Sequence, residues 1–126
     1  MATAIPELHM ISSEHVVGAK VFDGEGKEIG EIDHLMIDPI TGQARYAVVN
    51  FCGFMCLRKG HHAVPWNALC YDRDRRRYAT SVTERLLEEA PEYDDASWAD
   101  RDWETRIHKH YGATPYWREG AARSPG

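Results

Sequence analysis

The chain has no apolar run of the roughly 20 residues that a membrane-crossing helix needs. Its longest candidate, Tyr46 to Leu57, is interrupted by Asn50 and Gly53. Positive charge is also scarce: 15 Lys and Arg stand against 20 Asp and Glu, a formal charge of −5. Nucleic-acid modules carry a basic stripe matched to phosphate charge, so no nucleic acid is expected as a partner. The one basic run, Arg73-Asp74-Arg75-Arg76-Arg77, is cut by an acid and reads as a solvated turn. Cysteine is sparse and odd in number, at Cys52, Cys56 and Cys70. That count excludes a complete disulfide framework. Met1 to Glu7 lack the basic and apolar regions of a secretory signal. The expectation is a cytoplasmic protein with reduced thiols. No internal repeat or domain-splitting linker is present.

What remains suits one domain of 126 residues. Residues 1–13 have no period and read as an arm. From Val16 the grammar is that of strands and tight turns. Val16 to Phe22 is rich in β-branched residues and ends at the turn Asp23-Gly24-Glu25-Gly26. Glu28 to Asp38 carries Ile29, Ile32, Leu35, Met36 and Ile37, but its alternation fails at Asp33-His34, which predicts a bulge. Asp38-Pro39-Ile40-Thr41-Gly42 is a turn. Arg45 to Phe51 is apolar on both faces and reads as a central, doubly covered strand. Shorter strands follow at His62 to Trp66, Ala68 to Tyr71 and Tyr78 to Val82. The spacing predicts a mainly β fold, a small barrel of short antiparallel strands.

The period then lengthens from two towards 3.6. Ser81 with Glu84 has capping-box spacing, with Thr83 as the alternative cap of a short helix ended by Pro91. A second helix is predicted from Ala96 to Tyr111, with Ala96, Ala99, Trp103, Ile107 and Tyr111 on one stripe and Gly112 as its cap. Residues 94–126 are thus a C-terminal helix and aromatic tail, expected on or near the barrel.

In order and spacing these pieces resemble the PRC-barrel family, named for the photosynthetic reaction centre H subunit. The matching residues are Val17-Gly18-Ala19-Lys20-Val21, Gly26-Lys27-Glu28-Ile29-Gly30-Glu31-Ile32 and Ile37-Asp38-Pro39-Ile40-Thr41-Gly42. Tyr46-Ala47-Val48-Val49, Val64-Pro65-Trp66-Asn67-Ala68-Leu69 and Val82-Thr83 through Pro91 complete the series. The resemblance covers residues 14–93. The Trp98-to-Trp117 segment is similar to extensions of stand-alone bacterial members. Members are adaptors: a subunit that caps membrane chains and shapes proton delivery to a quinone, and a ribosome maturation factor that grips a ribosomal protein. The resemblance implies the barrel and an assembly role, with no catalytic, metal or cofactor residue to carry over.

The most chemical-looking stretch is Cys52 to His62. Two thiols and two imidazoles, Cys52, Cys56, His61 and His62, can ligate zinc or a softer metal, or pair as a Cys/His nucleophile. The spacing is not that of a usual zinc knuckle, and no third group orients a base. Small side chains filling the barrel, Cys70 among them, are the favoured reading. The acids Glu88, Glu89, Glu92, Asp94 and Asp95 read as a solvated face, Asp33 and Asp38 as strand and turn residues, and His34 as structural. His108 and His110 complement a helix dipole. Phe51, Phe54, Met55 and Leu57 cannot all point inward from one loop, and Tyr116 and Trp117 lie beyond the last helix. These six form the expected interaction surface. The sequence therefore predicts a non-catalytic protein-binding module, a homodimer, peripheral to a photosynthetic or electron-transfer membrane complex. A metal- or redox-responsive protein and a ribosome-associated factor are the alternatives.

Overall fold

The computed structural model describes residues 10–52 and 59–118. Ser12 caps a single helical turn, α1 (Ser13–Val16), its hydroxyl accepting from the Glu14 amide at 3.2 Å. Gly18 follows with φ of 87°, a left-handed geometry that breaks the extended run. The strand expected from Val16 to Phe22 is thereby shortened to β1 (Lys20–Phe22). Val16 turns into the core while Val17 stays about half exposed.

β2 (Glu28–Ile37), β3 (Ala44–Cys52) and β4 (Lys59–Pro65) run as an antiparallel meander. The register of β2 against β3 slips between Ile32 and His34, so the bulge falls where apolar alternation failed. β5 (Leu69–Asp72) and β6 (Arg77–Thr80) form a hairpin. The strand order is β4-β3-β2-β1-β6-β5, and one neighbouring pair, β1 with β6, is parallel rather than antiparallel. The edge strands β4 and β5 are consecutive in sequence, joined by a 3-10 turn at Trp66–Ala68. Such a link reaches at most roughly 14 Å. The two edges must therefore approach, and the sheet curls into a barrel. Thr80 Oγ1 fastens the corner, donating to the Ala68 carbonyl at 2.7 Å.

β3 is covered on both faces. Ala47, Val49 and Phe51 point inward to meet Val21, Ile29, Ile32, Val64, Tyr78, Val82 and Leu87. Tyr46, on the opposite face, packs with Ala63, Trp103 and Ile107. Leu87 reaches the interior from α2 (Glu84–Glu88), whose cap is Thr83, accepting from Leu86 N at 3.2 Å.

The second predicted helix is split. Asp94 caps a 3-10 turn at Asp95–Ala99 in a capping box with Ser97, and Asp100 caps α3 (Arg101–Tyr111), accepting from the amides of Asp102 and Trp103. An aspartate that binds the next turn's amides leaves helical geometry itself, which is why one stripe became two segments. Gly112 ends α3 in the left-handed conformation, at φ 65°. Trp103 and Ile107 of the stripe lay α3 on the outer faces of β3 and β4.

Candidate functional site

The outer layer, between β3, α3 and the tail, holds two buried polar side chains, Glu104 and His108. Glu104 lies one residue past the stripe position Trp103, so it shares the sheet-facing side of α3 and is 7% exposed. Its Oε1 accepts from the hydroxyls of Tyr46, at 2.8 Å, and Tyr116, at 2.7 Å. Arg101 Nε approaches its other oxygen at 3.6 Å. Burial, reinforced by the neighbouring carboxylate, pushes both phenols above their ordinary pKa. His108, one turn on, is almost wholly buried. Its Nδ1 lies 2.7 Å from the Glu104 carbonyl; a carbonyl only accepts, so this nitrogen carries the proton.

Beside this cluster Gln43, Ala44, Arg45, Trp66, Asn67 and His108 line a cleft of about 210 Å³. Arg45 enters from the start of β3. Its guanidinium sits 4.5 Å over the Tyr116 ring, and Nη2 is 3.7 Å from Asp38 Oδ2. Its Nε is buried without a hydrogen-bond partner. Asp38 holds the preceding turn, accepting from Ile40 N at 2.9 Å and Thr41 N at 3.4 Å. Those amides, with Arg45 nearby, lower its carboxyl pKa. A guanidinium and two primary amides are groups that donate to a bound acceptor.

The expected interaction residues separate. Phe51 is 1% exposed and belongs to the barrel interior, not to a surface. β3 continues through Cys52, and its alternation places Phe51 with Ala47 and Val49. Phe54, Met55 and Leu57, with Cys56, lie outside the described residues. Tyr116 and Trp117 are half-buried and fold back on α3: Trp117 carries Arg101 3.9 Å over its ring and meets His108 edge-on at 5.4 Å.

The two imidazoles separate too, while the side chains of Cys52 and Cys56 lie outside the described residues. His61 and His62 occupy successive positions of β4 and therefore face opposite sides. His61 Nε2 lies 3.6 Å from Asp33 Oδ1, and His34 Nδ1 lies 2.6 Å from Oδ2 of the same carboxylate. His62 packs edge-on against Phe51, and burial lowers its pKa. Cys70, expected to face the core, is exposed, because its neighbours Leu69 and Tyr71 take the inward positions of β5. Among the described residues no group of three His, Cys, Asp or Glu is placed to hold a metal ion.

Sequence reasoning passed over Arg45 and Glu104, and read His108 as a complement to the helix dipole, where the structure buries it against the Glu104 carbonyl. Glu104 and His108 are an i, i+4 pair flanking Trp103 and Ile107, and that adjacency was the available signal. Among the described residues no helix is long and apolar enough to cross a membrane.

Comparison with known proteins places the barrel. The sequence profile of the PRC-barrel domain matches residues 9–87. No curated protein matches the chain. Among solved structures it is similar to one described as a 16S ribosomal RNA processing protein, RimM, of Pseudomonas aeruginosa. That match has 22% identity and a TM-score of 0.45, covering 64% of this chain and 50% of the other. The chain thus spans half the length of that neighbour.

Proposed function

The chain belongs to the PRC-barrel domain family, and we propose that it is a non-catalytic module that binds and assembles protein partners. The observation that carries this reading is the β2–β3 turn. Ile40 at its tip is 91% exposed and Ile37 at its base 53% exposed, on a turn fixed by the Asp38 hydrogen bonds. Two apolar side chains on so defined a turn offer a partner buried area at little ordering cost. A second copy of the chain is the simplest such partner, since two-fold homodimers are the commonest assemblies. The reading places the protein in the cytoplasm, at the periphery of a membrane complex.

Sedimentation across a concentration series tests the dimer, with Ile40→Asp and Met55→Asp as interface variants. A dimer that dissociates in either variant supports it. A strict monomer at every concentration removes the homodimer. Affinity isolation from native lysate with membranes retained tests the wider reading; recovery with ribosomal particles instead would move the protein to a different assembly.

A further inference from the structure

The cleft beside Arg45 is built from three separate elements: the start of β3, the 3-10 turn at Trp66–Ala68, and α3 through His108. Its cation is unusually placed. Arg45's side chain is 19% exposed, yet its guanidinium makes no hydrogen bond among the described residues, and Nε is buried without an acceptor. Guanidinium carries five N–H donors and cannot lose its charge. A cation so enclosed is normally hydrogen-bonded, because desolvation without a partner is costly. Asp38 does not meet that need: its near oxygen stands 3.7 Å away, beyond hydrogen-bond length, and its other oxygen serves the turn amides. Meanwhile the Tyr116 ring, 4.5 Å from the guanidinium carbon, holds one face of the fork in place.

We propose that this cleft is a carboxylate-binding site, with the Arg45 fork as its anchor and Trp66 and His108 as its walls. A planar fork matches a carboxylate through two parallel hydrogen bonds. The volume, about 210 Å³, is below the roughly 300–1,000 Å³ of sites for drug-sized ligands. It suits a group the size of an Asp or Glu side chain, or a small free acid. The exposed Ile37 ends β2, and the exposed Ile40 lies on the turn that leads into β3. A partner segment with an acid beside apolar residues would therefore use both. Only that identification of the source rests on the assembly reading. The Asp38 charge opposes a bound carboxylate and holds its affinity down.

The test is titration of the ¹⁵N-labelled full chain followed by NMR at the Arg45 Nε–H and the Trp66 indole N–H, at constant ionic strength. The probes are sodium acetate, sodium chloride, and the blocked peptides Leu-Glu-Leu and Leu-Gln-Leu. Acetate and the Glu peptide are expected to give saturable shifts at both positions, and the Gln peptide to bind about tenfold more weakly or worse. Arg45→Lys keeps the charge but loses the fork, and should weaken acetate binding about tenfold. Asp38→Asn keeps an acceptor for the turn amides, removes the opposing charge, and should tighten binding several-fold. A packing role for Arg45 would not produce that gain. Shifts that are linear and equal for acetate and chloride overturn the proposal, as does an Asp38→Asn variant that folds and binds acetate no more tightly. A Glu peptide much tighter than acetate identifies a partner segment as the source, and equal affinities identify a free small acid. Acetate binding by a protein that proves monomeric and partnerless would leave this site standing while the assembly reading fell.

Discussion

Inside the barrel, Ile29, Ile32, Val49, Val64 and Leu87 meet as aliphatic surfaces. Across β3, Tyr46, Trp98, Trp103 and Tyr116 meet ring against ring, at centroid distances of 5.3 to 6.2 Å. The interior is held by burial, which has no preferred direction and depends on volume filled. The outer layer adds directed contacts: two phenols on Glu104, and the Trp103 indole donating to the Glu92 carbonyl at 2.9 Å. One strand therefore separates two kinds of stability. The first fails when volume is lost, the second when an acceptor or a proton is lost.

The largest expected effect breaks the inner side. Ile32→Ala, at a site with no exposure, should cost about 3 kcal/mol. Circular dichroism and tryptophan fluorescence should then lose their signals at one lowered urea midpoint. An unchanged fluorescence midpoint would mean that the layers unfold separately.

Glu104→Leu attacks the outer side, leaving two phenol hydroxyls without their acceptor, at about 2 kcal/mol. Three of the four tryptophans, Trp98, Trp103 and Trp117, belong to the outer layer or the tail folded on it. Fluorescence should therefore respond at least as strongly as circular dichroism. A variant as stable as the parent would remove the carboxylate from the account.

Alkali sharpens the contrast without mutation. Tyr46, Tyr111 and Tyr116 all have raised pKa values, from burial first, and for Tyr46 and Tyr116 also from Glu104. Unfolded phenols ionise near about 10 while the folded ones keep their protons. Their contribution is complete below that pH and is lost as pH rises above it. A stability curve flat through that range in denaturant titrations would contradict the assignment.

The smallest effect lies at mild acid. His62 is buried against Phe51 with a lowered pKa, so its contribution is complete above about 6.5 and lost as pH falls through the folded value. His62→Gln should flatten that part of the pH–stability curve. An identical slope in the variant would assign the acid sensitivity to another group.

The meander, the bulge and the Asp38 turn were legible because each is written in a few consecutive residues. The apolar character of both faces from Tyr46 to Phe51 even announced that β3 would be covered on both sides. The split at Asp100 was not legible, since a capping aspartate and a solvent-facing one look alike until the backbone is known. Phe51 misled for a related reason: whether it ends a strand or opens a loop depends on pairing with Gly60. The candidate site was hidden most deeply. Glu104 draws one phenol from Tyr46 on β3 and the other from the tail, a convergence that no local period encodes. A tyrosine in a doubly covered strand was nevertheless a hint, because a buried hydroxyl needs a partner.

The parallel seam between β1 and β6 sets the order of events during synthesis. Val21 pairs with Tyr78, so β1 leaves the ribosome long before its neighbour exists. At roughly 5–20 residues per second, that interval lasts several seconds. Throughout it β1 presents an unpaired edge, the kind of surface on which nascent chains adhere to one another. Aggregation in cells should thus respond to what delays Arg77–Thr80 more than to what weakens the finished barrel. The arrival of one late hairpin, rather than the strength of the early meander, closes the molecule.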